Sequence, residues 1–257
     1  MITIKTKEEI EILAEGGKRL AFILQKLAKM VAPGVSTKEL DTCAQELALA
    51  GGDTPSFLHY QPDGAKRPYP ASLCVSLNDE VVHGIPNEKS RKLKDGDIVS
   101  LDMGIVHKGL ITDSAVTVIV GKGDAQARKL LKVTRDALQK GIEAARGGNR
   151  VGDIGNAIET FVAPHGFSHA EGLAGHGVGY AVHEDPYVPN TGKAGEGVVL
   201  KAGMVIAIEP MLNEGTGKIK LDQDGYTFRT RDGKRSAHFE HTIVITDGEP
   251  IVLTKHK

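Results

Sequence analysis

The chain has 257 residues, 40% hydrophobic and 25% charged, with a formal net charge of −1. That length can bury a sizeable core in a single domain spanning 1–257, the composition excludes a disordered chain, and the near-zero charge argues against nucleic-acid or membrane-surface binding by bulk electrostatics. Cys43 and Cys74 are far apart with no CxxC pair, no window is apolar enough to span a membrane, and the start lacks a signal-peptide core, so a cytoplasmic protein with reduced thiols is expected.

Thr6-Lys7-Glu8-Glu9 has capping-box spacing and opens a helical pattern through Ile12, Leu20, Ile23, Leu24 and Leu27 to about Met30, stopped by Pro33-Gly34. Ser36 and Glu39 repeat the spacing before a second helix through Leu40, Cys43, Leu47 and Leu49 to Gly51-Gly52. From Thr54 to Val99, short apolar runs alternate with Pro, Asn and Gly, which reads as loops and strands.

The segment 97–120 places two apolar, β-branched runs either side of His107-Lys108 and reads as a β-hairpin. With those two residues as the loop, paired positions sum to 215 and Asp102 faces Asp113. Like charges facing across a strand pair are destabilising, and a cation between them would reverse the sign. A slipped register, or two solvent-facing acids, would also relieve the conflict.

After Gly121 the order repeats. Helical patterns run from about Ala125 to Ala145 and from Asp153 to about Val162, ending near His165-Gly166. An offset of 114 sets Gly148 on Gly34, Ile154 on Leu40, Phe161 on Leu47 and Gly166 on Gly52. The coincidence suggests an internal duplication, with a site where the two halves meet. The final third is rich in strand signals, so helices should cover one side of a mainly antiparallel, curved sheet in an α+β fold.

Gly175-His176-Gly177-Val178-Gly179 puts an imidazole in what reads as a glycine-dense turn. The GxGxxG spacing fails, and Tyr187 stands where an HExxH motif starting at His183 would need a second histidine. Glu209 and Glu240 lie in strand-like apolar runs, where each taken alone could be an exposed residue or a structural ion pair. Asp102, Asp113, His176, Glu209 and Glu240 together supply four carboxylates and one imidazole. That donor set suits two divalent ions, and two-metal sites with ions roughly 3.5 to 4 Å apart serve hydrolysis. His83 and His183 occupy loop contexts where they could polarise a carbonyl or contact a leaving amine.

The runs VVHGIP at 81–86, AGHGVGYAVHEDP at 174–186, IEPM at 208–211 and FEHTIVIT at 239–246, with Asp102 and Asp113, resemble the type I methionine aminopeptidases of peptidase family M24. The resemblance covers nearly the whole chain. It implies the pita-bread fold with two pseudo-symmetric halves, and removal of the initiator methionine from nascent chains whose second residue is small. By resemblance, Asp102 would chelate one of two divalent ions (Co, Mn, Fe or Zn), His176 and Glu209 would bind the other, and Asp113 and Glu240 would bridge them. A water or hydroxide held between the ions would attack the scissile carbonyl. Glu209 would double as general base, His183 would stabilise the oxyanion, and His83 would hydrogen-bond the scissile nitrogen.

The resemblance also implies that Tyr69 and Cys74 line a methionine pocket. Val182 stands where many members carry phenylalanine and Tyr226 where some carry tryptophan, changes expected to open the pocket or make it more polar. A monomer that associates transiently with the ribosome is implied. Because Ile2 is bulky, Met1 should be retained. Related readings are an X-Pro aminopeptidase or dipeptidase of the same fold, and a non-catalytic peptide-binding module.

Overall fold

In a computed structural model that describes residues 2–255, four helices back a curved nine-stranded sheet. Met1, expected to be retained, lies outside the described residues. Both predicted capping boxes form: Thr6 and Glu9 open α1 (Lys7–Met30), and Ser36 and Glu39 open α2 (Thr37–Ala50). The second pair of helices is α3 (Ala125–Ala144) and α4 (Val151–Val162), the latter starting two residues before the expected Asp153. Leu49, expected on the apolar face of α2, is 54% exposed, and the small side chains of Ala44 and Ala48 face inward. Among the described residues, no helix is long and apolar enough to cross a membrane.

Numbered in chain order within the central sheet, the strands are β1 (Thr54–Pro55), β2 (Cys74–Leu77), β3 (Ile98–His107), β4 (Leu110–Ile119), β5 (Gly175–Gly177), β6 (Glu184–Val188), β7 (Val205–Ile208), β8 (Glu240–Val244) and β9 (Ile251–Val252). Their order is β1-β3-β4-β8-β7-β5-β6, with β2 also on β3 and β9 also on β8. Pairing is antiparallel throughout. Alternation along the strands sorts the faces. Val99, Leu101, Met103 and Ile105 of β3 pack with Leu20, Leu24, Leu27 and Leu40 of α1 and α2, while Ile206, Ile208 and Ile243 pack with Leu130, Val133, Ile154 and Ile158 of α3 and α4. Each such buried aliphatic side chain contributes roughly 2 kcal/mol. The intervening residues point to the opposite face.

The hairpin of β3 and β4 forms, in a register different from the expected one. His107 pairs with Leu110, so paired positions sum to 217, Asp102 faces Ala115 and Asp113 faces Gly104. The loop is Lys108-Gly109, with φ of 48° and 85°. Two-residue hairpin loops favour positive φ at both positions because that twist matches the strands, and glycine adopts it without strain. Moving the loop by one residue leaves the two aspartates on the same face as diagonal neighbours.

The duplication extends to individual hydrogen bonds. Gly34 donates to Leu93 O at 2.9 Å and Gly148 to Leu200 O at 2.9 Å; Thr37 donates to Arg91 O at 2.9 Å and Val151 to Val198 O at 3.0 Å. Gly34 and Gly148 share positive φ (92° and 88°), as do Gly52 and Gly166 (80° and 78°). The offset falls from 114 in these helices to 107 at the hairpins, since β3 starts at 98 and β7 at 205.

The glycine-dense stretch around His176 is a strand, β5, and not a turn. A Cβ on Gly175 would lie 2.3 Å from Ala207 O, and one on Gly177 would lie 2.1 Å from Asp185 O. Glycine therefore allows the flanking backbones to close on both sides of His176. Two substitutions should separate the kinds of glycine. Gly109→Ala, with nothing within 4 Å of its new Cβ, should cost about 1 kcal/mol in urea unfolding through its positive φ alone. Gly175→Ala should cost about 1 to 3 kcal/mol through overpacking and should also weaken metal uptake by displacing His176. Equal stability losses with unchanged metal uptake would contradict this division.

Candidate functional site

One row of side chains crosses the sheet on the face away from the helices. Cys74 on β2 pairs with Asp102 on β3, Asp102 with Ala115 on β4, and Ala115 with Glu240 on β8. His241 pairs with Ile208, so by the same register Glu240 lies across from Glu209, just beyond β7 and followed by Pro210. Asp113 sits two residues from Ala115 on the same face. His176 comes from β5, which pairs with β7 through Gly177 and Ile206. Adjacent strands lie about 4.8 Å apart, so a rigid sheet brings residues from four well-separated segments together.

These groups are buried against one another. Asp102, Asp113 and Glu240 are at most 6% exposed, and each has an oxygen without a hydrogen-bond partner. Burial, reinforced by neighbouring carboxylates, raises Asp102 and Glu240 well above the usual carboxylate range. Asp113 is pushed up to about 8 by burial and by the charge of Glu209, and Glu209 to about 8 by burial. Burial holds His176 down to about 3, with His183 adding to the effect. The imidazole therefore keeps a lone pair free, and its Nε2 lies 3.5 Å from Glu209 Oε1. Donor atoms of Asp113, His176 and Glu240 all lie within 4.8 Å of one another. Uncompensated buried carboxyl oxygens facing a neutral imidazole fit hard or borderline divalent cations, which would relieve both desolvation and mutual repulsion.

The row opens into a cavity of about 270 Å³, and every candidate residue named from the sequence lines it. His83 follows the short strand Glu80–Val82 with φ of 59°, a left-handed turn that directs the chain into the cavity wall. Burial and the nearby His183 and His238 hold His83 down to about 4. His183 precedes β6 in a bend closed by Glu184, whose carboxylate accepts from Ala181 N at 3.0 Å and from Lys5 Nζ at 2.7 Å. Burial lowers His183 from its ordinary value. Its ring meets His176 edge-on at 4.5 Å between centroids.

Tyr69, Cys74, Val182 and Tyr226 form one apolar cluster, with the Tyr69 and Tyr226 rings edge-to-face at 5.1 Å. The added polarity expected at Tyr226 is absorbed within the protein, because its hydroxyl donates to Arg67 O. Likewise the Tyr69 hydroxyl donates to Gly84 O at 3.0 Å.

Several residues of the site were not singled out from the sequence. Phe57, Tyr60, Pro62 and Tyr187 line the same cavity. The Tyr60 hydroxyl lies 2.9 Å from His183 Nδ1. His238 is 2% exposed, its Nε2 stands 3.5 Å from Glu209 Oε2, and both its ring nitrogens lack hydrogen-bond partners. Its position two residues before Glu240 in the same apolar run was the available signal.

The profile of metallopeptidase family M24 matches residues 11–247. The methionine aminopeptidase of Aquifex aeolicus is 45% identical over 256 residues, covering 99% of each chain. Methionine aminopeptidase 1 of Bacillus subtilis is 45% identical over 255 residues, covering 99% of this chain and 100% of the other. The crystal structure of methionine aminopeptidase from Thermotoga maritima superposes with a TM-score of 0.94 at 43% identity, covering 100% of both chains. The prolidase of Pyrococcus horikoshii shares the fold at 22% identity, with a TM-score of 0.75 over 99% of this chain and 64% of that one.

The buried acids give the metal-free protein a specific pH response. Unfolded, Asp113 and Glu209 ionise near 4; folded, they ionise at about 8. Across that interval the folded state retains protons that the unfolded state has released, so stability falls as pH rises. Below about 6.5 the buried imidazoles act in the opposite sense, because the unfolded state must lose their protons. Chelated protein should therefore lose thermal stability between about pH 6.5 and pH 8, and added Mn(II) should restore it. A melting temperature that climbs over this range in chelator would contradict the assignment.

Proposed function

The chain belongs to metallopeptidase family M24, and from that premise we infer that it is a methionine aminopeptidase that removes N-terminal methionine from nascent proteins when the second residue is small. The observation that carries this reading is the buried row of four carboxylates and His176 at one end of a cavity walled by Tyr69, Cys74, Val182 and Tyr226. A cavity of about 270 Å³ suits one residue and its flanking peptide bond. The X-Pro reading has only the fold in common with the prolidases, at 22% identity.

Two divalent ions, Mn, Fe, Co or Zn, would be held by Asp102, Asp113, His176, Glu209 and Glu240. When bound, they would supply Lewis-acid polarisation of the scissile carbonyl and an acidified water as nucleophile. Glu209 would take up a proton from the nucleophile and return it to the leaving amine. His183, kept neutral by burial, donates an N–H to the oxygen that gains charge. His83, which also lines the cavity and is kept neutral by burial, hydrogen-bonds the scissile nitrogen. The methionine side chain packs between the Tyr69 and Tyr226 rings and Val182, where a polarisable thioether gains from an aromatic edge. As a single-domain monomer, the protein would meet its substrates in the cytoplasm as they leave the ribosome.

Protein stripped with a chelator should release no methionine from Met-Ala-Ser and should regain turnover with Mn, Co, Fe or Zn. Metal analysis at saturation should return two ions per chain. Glu209→Gln should lower kcat by about 10² to 10⁴-fold, and Asp102→Asn should abolish metal-dependent turnover. In a panel of Met-Ala, Met-Pro, Leu-Ala and Ala-Pro peptides, cleavage confined to Ala-Pro would overturn methionine specificity. Peptide binding that survives metal removal, without turnover under any metal, would overturn the hydrolase reading.

A further inference from the structure

A neutral imidazole has one N–H and one lone pair, so whatever occupies one ring nitrogen decides what the other can do. His183 lines the cavity, and its Nδ1 lies 2.9 Å from the hydroxyl of Tyr60. The Tyr60 ring packs against the same imidazole at 5.5 Å between centroids, tilted by 50°. His176 covers the ring edge-on from another side.

Tyr60 is itself held from three directions. His59 N donates to Tyr69 O at 2.9 Å, and Tyr69 N donates to Tyr60 O at 2.8 Å, so segment 61–68 is closed at its base. His59 makes the entry turn with a φ of 67°. Farther along, Arg67 forks onto Glu88 and also donates to Asp224 O at 3.2 Å. The Tyr60 hydroxyl is thus presented to His183 by a loop closed at its base and tied down along its returning limb at Arg67.

We propose that the Tyr60 O–H donates to Nδ1 of His183 and so places the imidazole proton on Nε2, making Tyr60 a positioning residue for the hydrolytic site. Burial raises the Tyr60 hydroxyl above its ordinary value, so it stays protonated and able to donate. With the opposite polarity, Nδ1–H to the phenolic oxygen, Nε2 would present a lone pair and would repel an oxygen gaining negative charge. The proposal rests on the reading of His183 as the donor to that oxygen, and it assigns a residue 123 positions away the task of keeping it a donor. Neither proton moves along the Tyr60 bond in the reaction; the bond only selects which tautomer meets the substrate.

The test uses Zn(II)-loaded full-length protein labelled with ¹⁵N-histidine, read by long-range ¹H–¹⁵N correlation, with His183→Asn identifying the His183 signals. The expected wild-type pattern is a protonated Nε2 and a hydrogen-bonded, unprotonated Nδ1. In Tyr60→Phe the Nδ1 signal should lose its hydrogen-bond shift and the second tautomer should become visible. Kinetics with the metal that restores turnover should show kcat lowered about tenfold, comparable with the loss of other orienting partners of active-site imidazoles, and KM for Met-Ala-Ser within about twofold of wild type. A wild-type His183 protonated on Nδ1, or a Tyr60→Phe protein with the wild-type tautomer and kcat, would overturn the proposal. Failure of the wild-type enzyme to cleave Met-Ala-Ser under any metal would strike the functional reading, whereas the tautomer measurement judges Tyr60 independently.

Discussion

Four acidic side chains in one buried cluster form the interaction on which the rest of the structure depends. Desolvation and mutual repulsion oppose ionising Asp102, Asp113, Glu209 and Glu240 together. A flexible scaffold would let them separate into solvent. The sheet prevents this, because each acid is set by a strand register shared with its neighbours. Ala115 is the small residue in the middle of the row, and it keeps the space between Asp102 and Glu240 free of bulk. The stability given up at the acids is offset by the helix-covered face, where the aliphatic clusters sit.

The duplicated architecture explains how such a cluster arises from modest parts. At the hairpins, an offset of 107 sets Asp102 on Glu209, and Val120 answers Ile245, since Gly96 donates to Val120 O and Val120 to Asp97 O just as Gly203 donates to Ile245 O and Ile245 to Met204 O. That second offset of 125 sets Asp113 on His238 and Ala115 on Glu240. Equivalent positions thus carry different chemistry. The first half contributes Asp102 and Asp113, and the second contributes Glu209, Glu240 and the buried imidazole of His238. The helices keep the same backbone bonds in both halves, and the site between them is asymmetric in its side chains.

The walls of the cavity come from outside this repeat. His83, Tyr60 and Pro62 lie in connections of the first half, and His183 and Tyr187 lie in or beside β6. Loops carry these residues and the rigid sheet carries the acids, a division that lets one acidic floor sit beneath differently shaped pockets. The pairing of Tyr226 with Arg67 and of Lys5 with Glu184 shows how these loops are stiffened by contacts far apart in sequence.

The sequence by itself determined the parts whose causes are local. Thr6 with Glu9 and Ser36 with Glu39 cap their helices through residues three apart, and the β-branched runs of 97–120 specify a hairpin through their own period. The acids and His176 were legible because carboxylates in apolar strand runs conflict with burial unless something neutral or cationic answers them. Only the tertiary structure decided the hairpin register, which turned on the left-handed backbone of Lys108-Gly109 and moved Asp102 from Asp113 to Ala115. It also made a strand of Gly175–Gly177, since those glycines admit neighbouring backbones supplied by residues 185 and 207. The bond from Tyr60 to His183 spans 123 positions and has no local signature, because two surface-loop residues meet only when the sheet has brought their strands together.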